Sequence, residues 1–465
     1  TMHSWMFLSS YEKLREGVLT TDIVNMVHLG ARAFEEIGGE VVQTTAFVLR
    51  NNYVGEYKGI YCRLLEPNTQ QGKEEMFLQE KNRFVSKSKD YETIPGSPLA
   101  YWLSNNMYNV FLEGKLLNQI GKPEQGMATA DNGRFVRKWY EVAINKTSLK
   151  KNAYLKWIPY NNGGGFRKWY GFNTDVVNWE NNGLEIKSFP KAYVRNERDY
   201  FKSGITWNAI TSSDVSVRYF GEGFIFSNAG MAIFTSEQYQ KYLLAFINSC
   251  VSKSILSILS PTLNYNAGDM GNIPIIFSDV VNESGLCTKC IEISKNDWDA
   301  FETSWDFKKH PLVSYSANKT STAFELWSKE CAERFNQLKA NEEELNRIFI
   351  DIYGLRDELT PKVEDKDVTV RQADLQRDIK SLISYAVGCM FGRYSLDNDG
   401  LAYAGGEWDN SKYDTFIPDE DNCIPITDEE YFEDDIVGLL CSWLKKVYGE
   451  DTLEENLDFI ANALG

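Results

Sequence analysis

The sequence predicts a multidomain protein of mixed α/β and α+β architecture, on three observations. Its 465 residues exceed what one hydrophobic core usually holds, so we expect about two to four domains. Hydrophobic residues make up 43% and aromatic residues 14% of the chain, enough apolar surface for several cores. Strand-like runs between turn residues dominate residues 121–290, whereas helical periodicity dominates residues 291–465.

Residues 1–65 have the pattern of the last part of an α/β domain. A helix start after a short apolar run precedes residues 23–28, which predict a strand. Residues 40–50 are rich in β-branched side chains, and we expect them to form a hairpin with residues 57–65. Because the chain opens directly on a buried strand, we expect the neighbouring strands of this domain to lie upstream.

The remaining chain falls into three regions. Residues 66–120 have the pattern of a helical connector. Residues 121–290 combine short strand-like runs with many Gly and Asn turns, and end in one apolar helix over residues 237–260. Residues 291–465 are helical, and apolar residues at spacings of three, four and seven predict one buried face of a long helix. This stripe consists of Phe324, Trp327, Cys331, Phe335, Leu338, Leu345, Phe349 and Ile352.

Charge is distributed unevenly along the chain, whose formal net charge is −17. Residues 134–202 contain 14 Lys and Arg against 6 Asp and Glu, a local balance of +8. Residues 361–465 contain 9 against 24, a balance of −15. Since a protein meets a polyanion through its local surface, the basic segment is compatible with a nucleic-acid partner and the acidic region is not.

Membrane and metal functions find little support in the sequence. No apolar stretch reaches membrane-spanning length and the N-terminus lacks a signal-peptide pattern, so we expect a cytoplasmic protein without membrane contact. Cys287 and Cys290 form a lone CxxC pair, and zinc would need two further ligands from a chain with three histidines. We therefore predict no metal site and two reduced thiols in a linker.

No catalytic or cofactor-binding residue is evident either. Gly221 and Gly223 superficially fit the FxGxG loop that holds S-adenosylmethionine in methyltransferases. They lie between two short strand-like runs with no helix after them, which predicts a hairpin turn instead. The glycines at 163–165 lack the ending of a phosphate-binding loop, and the few histidines argue against general-base chemistry.

The basic segment contains the side chains that suit DNA. Lysine binds phosphate through its charge, and we expect this role for Lys138, Lys150, Lys151, Lys168 and Lys202. The planar donor groups of arginine and asparagine match purine edges, and we expect this role for Arg134, Asn161, Asn162, Arg167 and Arg198. Alternatively, these charges merely face water and the aromatic residues fill a core. The complete set of candidate DNA-binding residues is Thr129, Asn132, Arg134, Arg137, Lys138, Lys150, Lys151, Lys156, Tyr160, Asn161, Asn162, Arg167, Lys168, Trp169, Arg195, Arg198 and Lys202.

Several runs carry a resemblance to a known family. They are MHSWMFLSSYEKLR at 2–15, FEEIGGEVVQT at 34–44, GMATADNGRF at 126–135, YLKWIPY and FRKWYG within 154–171, SPTLNY at 260–265, IKSLISYAVGCMFGRY at 379–394 and IPITDEEYFEDD at 424–435. In this order they resemble the C-terminal part of the PglX family, the adenine-specific DNA methyltransferases of BREX phage-defence systems. One departure is Ala130, which stands where the family pattern leads us to expect glycine.

The resemblance implies an organisation and a function. Residues 1–65 would be the last strands of a Rossmann-like methyltransferase domain, 66–120 a connector, 121–290 a target-recognition domain and 291–465 a helical, acidic C-terminal domain. The complete enzyme would transfer a methyl group from S-adenosylmethionine to adenine N6 in double-stranded DNA. The family's Asn-Pro-Pro-Tyr motif is absent from these 465 residues, so we expect this chain alone to be inactive and to bind no S-adenosylmethionine.

Two functional classes therefore remain open from the sequence. In the first, the chain reads DNA for a methyltransferase and meets other BREX proteins through its acidic region. In the second, it is an interaction module that docks defence partners or a phage inhibitor without reading DNA. An unrelated enzyme with its own active site is a weaker third reading, because no catalytic constellation is present.

Overall fold

A computed structural model describes residues 1–37, 42–149, 155–211, 214–260, 264–427, 431, 432 and 434–465. This part of the chain combines several small sheets with many helices, which confirms the mixed α and β architecture. The strands are β1 (Asp22–Ala31), β2 (Gln43–Arg50), β3 (Lys58–Arg63), β4 (Arg83–Lys87), β5 (Lys115–Leu116), β6 (Gly121–Glu124), β7 (Val136–Lys138), β8 (Trp157–Asn161), β9 (Asp175–Asn178), β10 (Gly204–Asn208), β11 (Val217–Phe220), β12 (Ile225–Phe226), β13 (Gly230–Thr235) and β14 (Pro274–Ile275).

The longest of the described helices lie in the C-terminal half of the chain. They are α1 (Glu12–Leu19), α2 (Gln70–Leu78), α3 (Asn105–Glu113), α4 (Leu117–Ile120), α5 (Asn132–Phe135), α6 (Glu180–Ser188), α7 (Glu237–Ile247), α8 (Cys250–Leu259), α9 (Ala267–Gly271), α10 (Asp279–Glu283), α11 (Leu286–Asp299), α12 (Pro311–Ser314), α13 (Thr320–Ile352), α14 (Leu375–Met390), α15 (Ile436–Tyr448) and α16 (Leu453–Leu464).

The N-terminal sheet has the strand order β2-β1-β3-β4. The predicted hairpin between the second and third strands is wrong, because β1 lies between them, antiparallel to β2 and parallel to β3. The Asp22 carboxylate explains the arrangement: it accepts hydrogen bonds from Arg50 and from the Val54 backbone, which fastens the turn after β2 to the start of β1. Strand β4 comes from the predicted connector and completes this sheet against β3.

Two further four-stranded sheets form the middle of the chain, with the orders β11-β10-β13-β6 and β12-β8-β9-β7. The predicted hairpin at Gly221 and Gly223 is also wrong. Strand β11 before these glycines pairs with β10, whereas β12 after them pairs in parallel with β8. The turn, in which Gly223 has a φ of +93°, therefore passes the chain from one sheet to the other.

The predicted apolar helix over residues 237–260 is two helices, α7 and α8, bent by 79°. Asn248 makes the break: its side-chain amide donates to the carbonyls of Val217 and Leu244. Ser249 then caps α8 by accepting from the Ser252 backbone. No single described helix is long and apolar enough to cross a membrane, and only this bent pair passes the same test by length and composition.

The long predicted helix is confirmed as α13, with its apolar stripe facing inward. Its first half packs with α14, α15 and α16 around Trp327 and Trp443. Its second half, including Leu338 and Phe349, shares a core with the sheet β11-β10-β13-β6 and with α7 and α8. The helix thus connects the β-rich and acidic regions. The two CxxC thiols lie on α11 rather than in a linker, and burial raises the pKa of both, that of Cys287 to about 12.

Candidate nucleic-acid interface

Six of the predicted basic residues lie on two segments of the chain, residues 134–138 and residues 195–202. The backbones of Ala128 and Tyr193 exchange two hydrogen bonds of 3.0 Å, which brings the loop after Tyr193 alongside residues 124–128. Arg195 donates to the side chain of Gln125 and Arg198 to that of Glu124. Hereafter the basic rim denotes Arg134, Arg137, Lys138, Arg195, Arg198 and Lys202.

Strand β7 supplies two residues of the basic rim. The Nζ of Lys138 lies 2.5 Å from Asp175 on β9, and the amide of Asn162 donates to the other oxygen of that carboxylate at 3.2 Å. Arg137 donates instead to the backbone carbonyls of Gly133 and Val136. Among the described residues it pairs with no carboxylate, so its charge is available to an anion.

A tight turn precedes β7 and fixes Arg134. The hydroxyl of Thr129 donates to the Asn132 side chain at 2.6 Å, and Asp131 caps α5 by accepting from the Arg134 backbone at 3.0 Å. The Arg134 guanidinium lies 2.6 Å from Glu185. Ala130 has a φ of +60°, in the left-handed region that favours glycine, which gives a backbone reason for expecting glycine there.

Substituting Ala130 by glycine is therefore expected to raise the free energy of unfolding by about 0.5–1 kcal/mol, because relief of the left-handed strain exceeds the added chain entropy. Denaturant unfolding of the two proteins measures the difference. Ala128, two residues earlier and without a positive φ, provides the matched control, since glycine there should destabilise. An Ala130→Gly protein less stable than the parent would contradict the assignment of strain.

A carboxylate pair holds the other end of the basic rim. Arg198 bridges Glu124 and Asp199, each at 3.0 Å, and Lys202 pairs with Asp199 at 2.7 Å. Burial raises the pKa of Glu124, against the effect of Arg198. Burial also opposes ionisation of Asp199, but hydrogen bonds from Lys202 and Arg198 outweigh it and lower the pKa. Both cations keep more than half of their side chains exposed.

Three predicted contacts lie in the interior, which corrects their assignment. Arg167 is 5% exposed and donates to the Thr369 and Ser294 carbonyls and to Asp297, the last at 2.9 Å. Lys168 and Trp169 both donate to Glu342 on α13, at 2.6 Å each. Because all three side chains are enclosed and hydrogen-bonded to the helical region, they have no surface left for a phosphate or a base.

The other candidate residues differ in how far their side chains are exposed to solvent. Tyr160 is buried and donates to the Met127 carbonyl at 3.3 Å, and burial raises its pKa. Asn161 is buried as well, and its amide nitrogen has no hydrogen-bond partner in the described structure. Lys156 is half-buried and pairs with Glu180 at 3.2 Å. Lys150 and Lys151 lie outside the described residues.

The predicted set omitted two exposed lysines, and it gave no indication of the environment of Arg218, one of the basic and aromatic side chains of this region. Lys146 and Lys191 are exposed and have no ion pair among the described residues, a condition that no sequence pattern signals. Arg218 is 2% exposed and has no carboxylate partner in the same part of the chain. It donates to the Arg167 carbonyl and the Asn208 side chain, and burial together with the Arg167 charge lowers its pKa to about 10.

Comparison with known proteins gives two relatives whose matches cover the whole of this chain. The chain is 45% identical to the adenine-specific methyltransferase PglX of Lacticaseibacillus casei (strain Zhang), covering 100% of this chain and 41% of that protein. It is 37% identical to the adenine-specific methyltransferase BrxX of Escherichia coli O9:H4 (strain HS), covering 100% and 40%. The chain thus spans about two-fifths of these relatives.

Other comparisons add little. No protein-family profile matches the chain. The type IIG restriction endonuclease BpuSI aligns with a TM-score of 0.28 at 10% identity, over 76% of this chain and 47% of that one, too weak a likeness for any argument. The resemblance to the PglX family is nevertheless confirmed: over its whole length this chain is similar in sequence to part of the adenine-specific methyltransferases PglX and BrxX.

Proposed function

We propose that this chain is the DNA-reading, C-terminal part of an S-adenosylmethionine-dependent, adenine-specific DNA methyltransferase that marks host DNA in BREX phage defence. Two relatives named adenine-specific methyltransferases, each similar to the whole chain, support the assignment. The Asn-Pro-Pro-Tyr motif is absent from the 465 residues, so methyl transfer and S-adenosylmethionine binding belong to the remaining part of the protein.

The observation that carries the proposal is the basic rim. In an acidic chain, six cations lie on residues 134–138 and 195–202, two segments linked through residues 124–128, and none of them is buried. Arg137 and Arg195 pair with no carboxylate among the described residues. A surface of this kind meets the phosphates of a duplex, which supply most of the sequence-independent binding energy.

The ion pair of Arg134 does not oppose this role, whereas Lys138, Arg198 and Lys202 must contact DNA while they keep their largely buried carboxylate partners. Exposed pairs such as Arg134 with Glu185 contribute about 0–1 kcal/mol each, so exchanging the carboxylate for a phosphate costs little. Lys138 and Lys202 suit phosphates because an ammonium reads only charge. Arg134, Arg198 and the half-exposed Asn162 suit base edges because their planar donors can form two parallel bonds with a purine.

Selection from a pool of random duplexes tests the proposed function. The chain should enrich a single short, non-palindromic site, and a pool without any enriched sequence would contradict sequence reading. The double variant Arg137→Ala/Arg195→Ala should bind all duplexes more weakly, and the slope of log affinity against log salt should fall by about two, roughly one for each lost phosphate contact.

The matched control removes the same charge from the acidic region. Lys380 and Lys446 are exposed and have no ion pair among the described residues, so Lys380→Ala/Lys446→Ala changes the net charge equally. We expect its salt slope to equal that of the parent. If both double variants lower the slope alike, the effect is one of total charge and the basic rim is not the interface.

A further inference from the structure

The acidic region contains an open cavity of about 820 Å³, between the end of α14 and the loops that precede α15. Its walls include the side chains of Phe391, Tyr403, Trp408, Ile417, Asp419 and Glu420. The cavity therefore combines apolar and aromatic surface with carboxylates. None of these residues belongs to the basic rim, so the cavity requires an explanation of its own.

The aromatic wall is held in place by specific contacts. Trp408 stacks on Tyr413 with ring centroids 4.8 Å apart and an interplanar angle of 11°, and Tyr403 meets Trp408 edge-on at 5.2 Å. The Tyr413 hydroxyl donates to the Gly392 carbonyl at 2.5 Å, and the Trp408 indole donates to Asn410 at 2.6 Å. A Cβ at Gly392 would overlap the Trp408 ring, so the ring lies directly on the backbone.

This anchored wall is nevertheless open to solvent. Trp408 is 43% exposed, Phe391 38%, Tyr403 36% and Ile417 65%. Packing from within the described chain thus leaves one side of the cluster uncovered. Exposed aromatic clusters of this kind, rimmed by polar groups, are typical of binding surfaces.

The charged residues that line the cavity are both acidic, although Lys412 lies on the same loops and donates to the Ala402 carbonyl. Asp419 and Glu420 line it, and Glu407, Asp409 and Asp421 lie on the same loops. None of these five carboxylates has a Lys or Arg ion-pair partner among the described residues. Asp409 and Asp421 accept backbone hydrogen bonds from Ser411 and Cys423, which orients their loops but does not neutralise them.

We propose that this cavity, here called the acidic cleft, binds an arginine side chain from a basic segment of a partner protein. An aromatic face attracts a cation through its quadrupole, and a guanidinium can stack on the ring while it donates to carboxylates. The negative balance of residues 361–465 complements a basic segment and repels nucleic acid. This site is independent of whether the basic rim reads DNA.

Fluorescence anisotropy with labelled Gly/Ser peptides at physiological salt tests the proposal. The probes carry two arginines, two lysines or two citrullines. The arginine peptide should bind best, the lysine peptide less well and the neutral citrulline peptide least. Trp408→Ala should weaken arginine-peptide binding about tenfold, and Trp408→Phe should restore most of it. Equal binding of the three peptides would overturn the proposal.

Matched variants separate the acidic cleft from the general negative charge. Phe432 is a 53% exposed aromatic residue in the same region, and Phe432→Ala should bind the arginine peptide like the parent. Asp419→Asn/Glu420→Gln should weaken binding more than Glu454→Gln/Asp458→Asn on α16, which removes the same charge elsewhere. Equal losses in the two charge variants, or no loss in Trp408→Ala, would overturn the assignment.

Sedimentation of the chain without peptide tests the other possible occupant of the acidic cleft, a second copy of this chain. Should the parent form a dimer that Trp408→Ala abolishes, a second copy of this chain covers the cleft and the assignment to a basic partner is wrong. A monomeric parent that binds the arginine peptide supports it.

Discussion

Replacing Glu342 by alanine is expected to lower the free energy of unfolding by about 3–5 kcal/mol, because it leaves a buried cation without a partner. Glu342 accepts from Lys168 and from the Trp169 indole at 2.6 Å each, and the side chains of Lys168 and Glu342 are 9% and 4% exposed. An uncompensated ammonium in this position must either lose its proton or draw in water. Chemical denaturation followed by circular dichroism measures the loss.

Two variants test whether the cost comes from the charge. Glu325→Ala lies on the same helix with its side chain exposed and without an ion pair in the described structure, so it should cost less than about 0.5 kcal/mol. Lys168→Met/Glu342→Leu removes both charges and should recover much of the loss, since apolar groups of similar volume can replace a buried pair. If Glu342→Ala costs no more than Glu325→Ala, the pair does not contribute to stability.

This buried pair shows where sequence reasoning ends. The apolar stripe of α13 is visible as spacings of three, four and seven, because a helix repeats its buried face within the chain. Glu342 lies on this stripe, four residues after Leu338 and three before Leu345, but the pattern does not identify its partners, which are 174 and 173 residues away. Lys168 and Trp169 therefore have the same sequence signature as surface residues that bind DNA, and only the tertiary packing separates the two groups.

The candidate interface was predictable as a segment but not as a set of residues. The local charge of +8 identified residues 134–202, and all six residues of the basic rim lie within them. The ion pairs inside that rim, such as Arg134 with Glu185 and Arg198 with Glu124, join residues 51 and 74 positions apart. Such pairings determine which cations remain available to bind phosphate, and no periodic pattern in the sequence predicts them.

Strand pairing was harder to predict than strand position. Runs of apolar and β-branched residues predicted the strand-forming segments, but two hairpins were inferred from the turn residues between such runs. Neither hairpin forms: β1 lies between β2 and β3 in the first case, and in the second the turn at Gly221 leads from β11 into a different sheet. Turn residues specify that the chain bends, whereas the partner of each strand is chosen by the core that it covers.

Substituting Gly126 by alanine is expected to cost about 3 kcal/mol or more, because the new methyl group would collide with backbone and cannot be accommodated by a side-chain shift. An ideal Cβ at Gly126 would overlap the carbonyl oxygen of Phe226 and lie 2.6 Å from its ring. The Phe226 carbonyl cannot retreat, since it accepts from the Met127 backbone at 3.0 Å while Gly126 donates to Ser227 at 3.1 Å. Thermal and chemical unfolding measure the loss.

Gly221 provides the matched control for this prediction. Gly221 lies in the turn between the two sheets, its Cβ would meet no atom within 4 Å and its φ is not in the left-handed region, so Gly221→Ala should leave stability within about 0.5 kcal/mol of the parent. Gly126→Ala should also weaken DNA binding, whereas Gly221→Ala should bind DNA like the parent. Gly126 adjoins Gln125, the partner of Arg195, and its displacement would separate the loop carrying Arg195 and Arg198 from the turn carrying Arg134. If Gly126→Ala is as stable as Gly221→Ala, residues 124–138 are not held against β12, and the basic rim loses the backbone on which it depends.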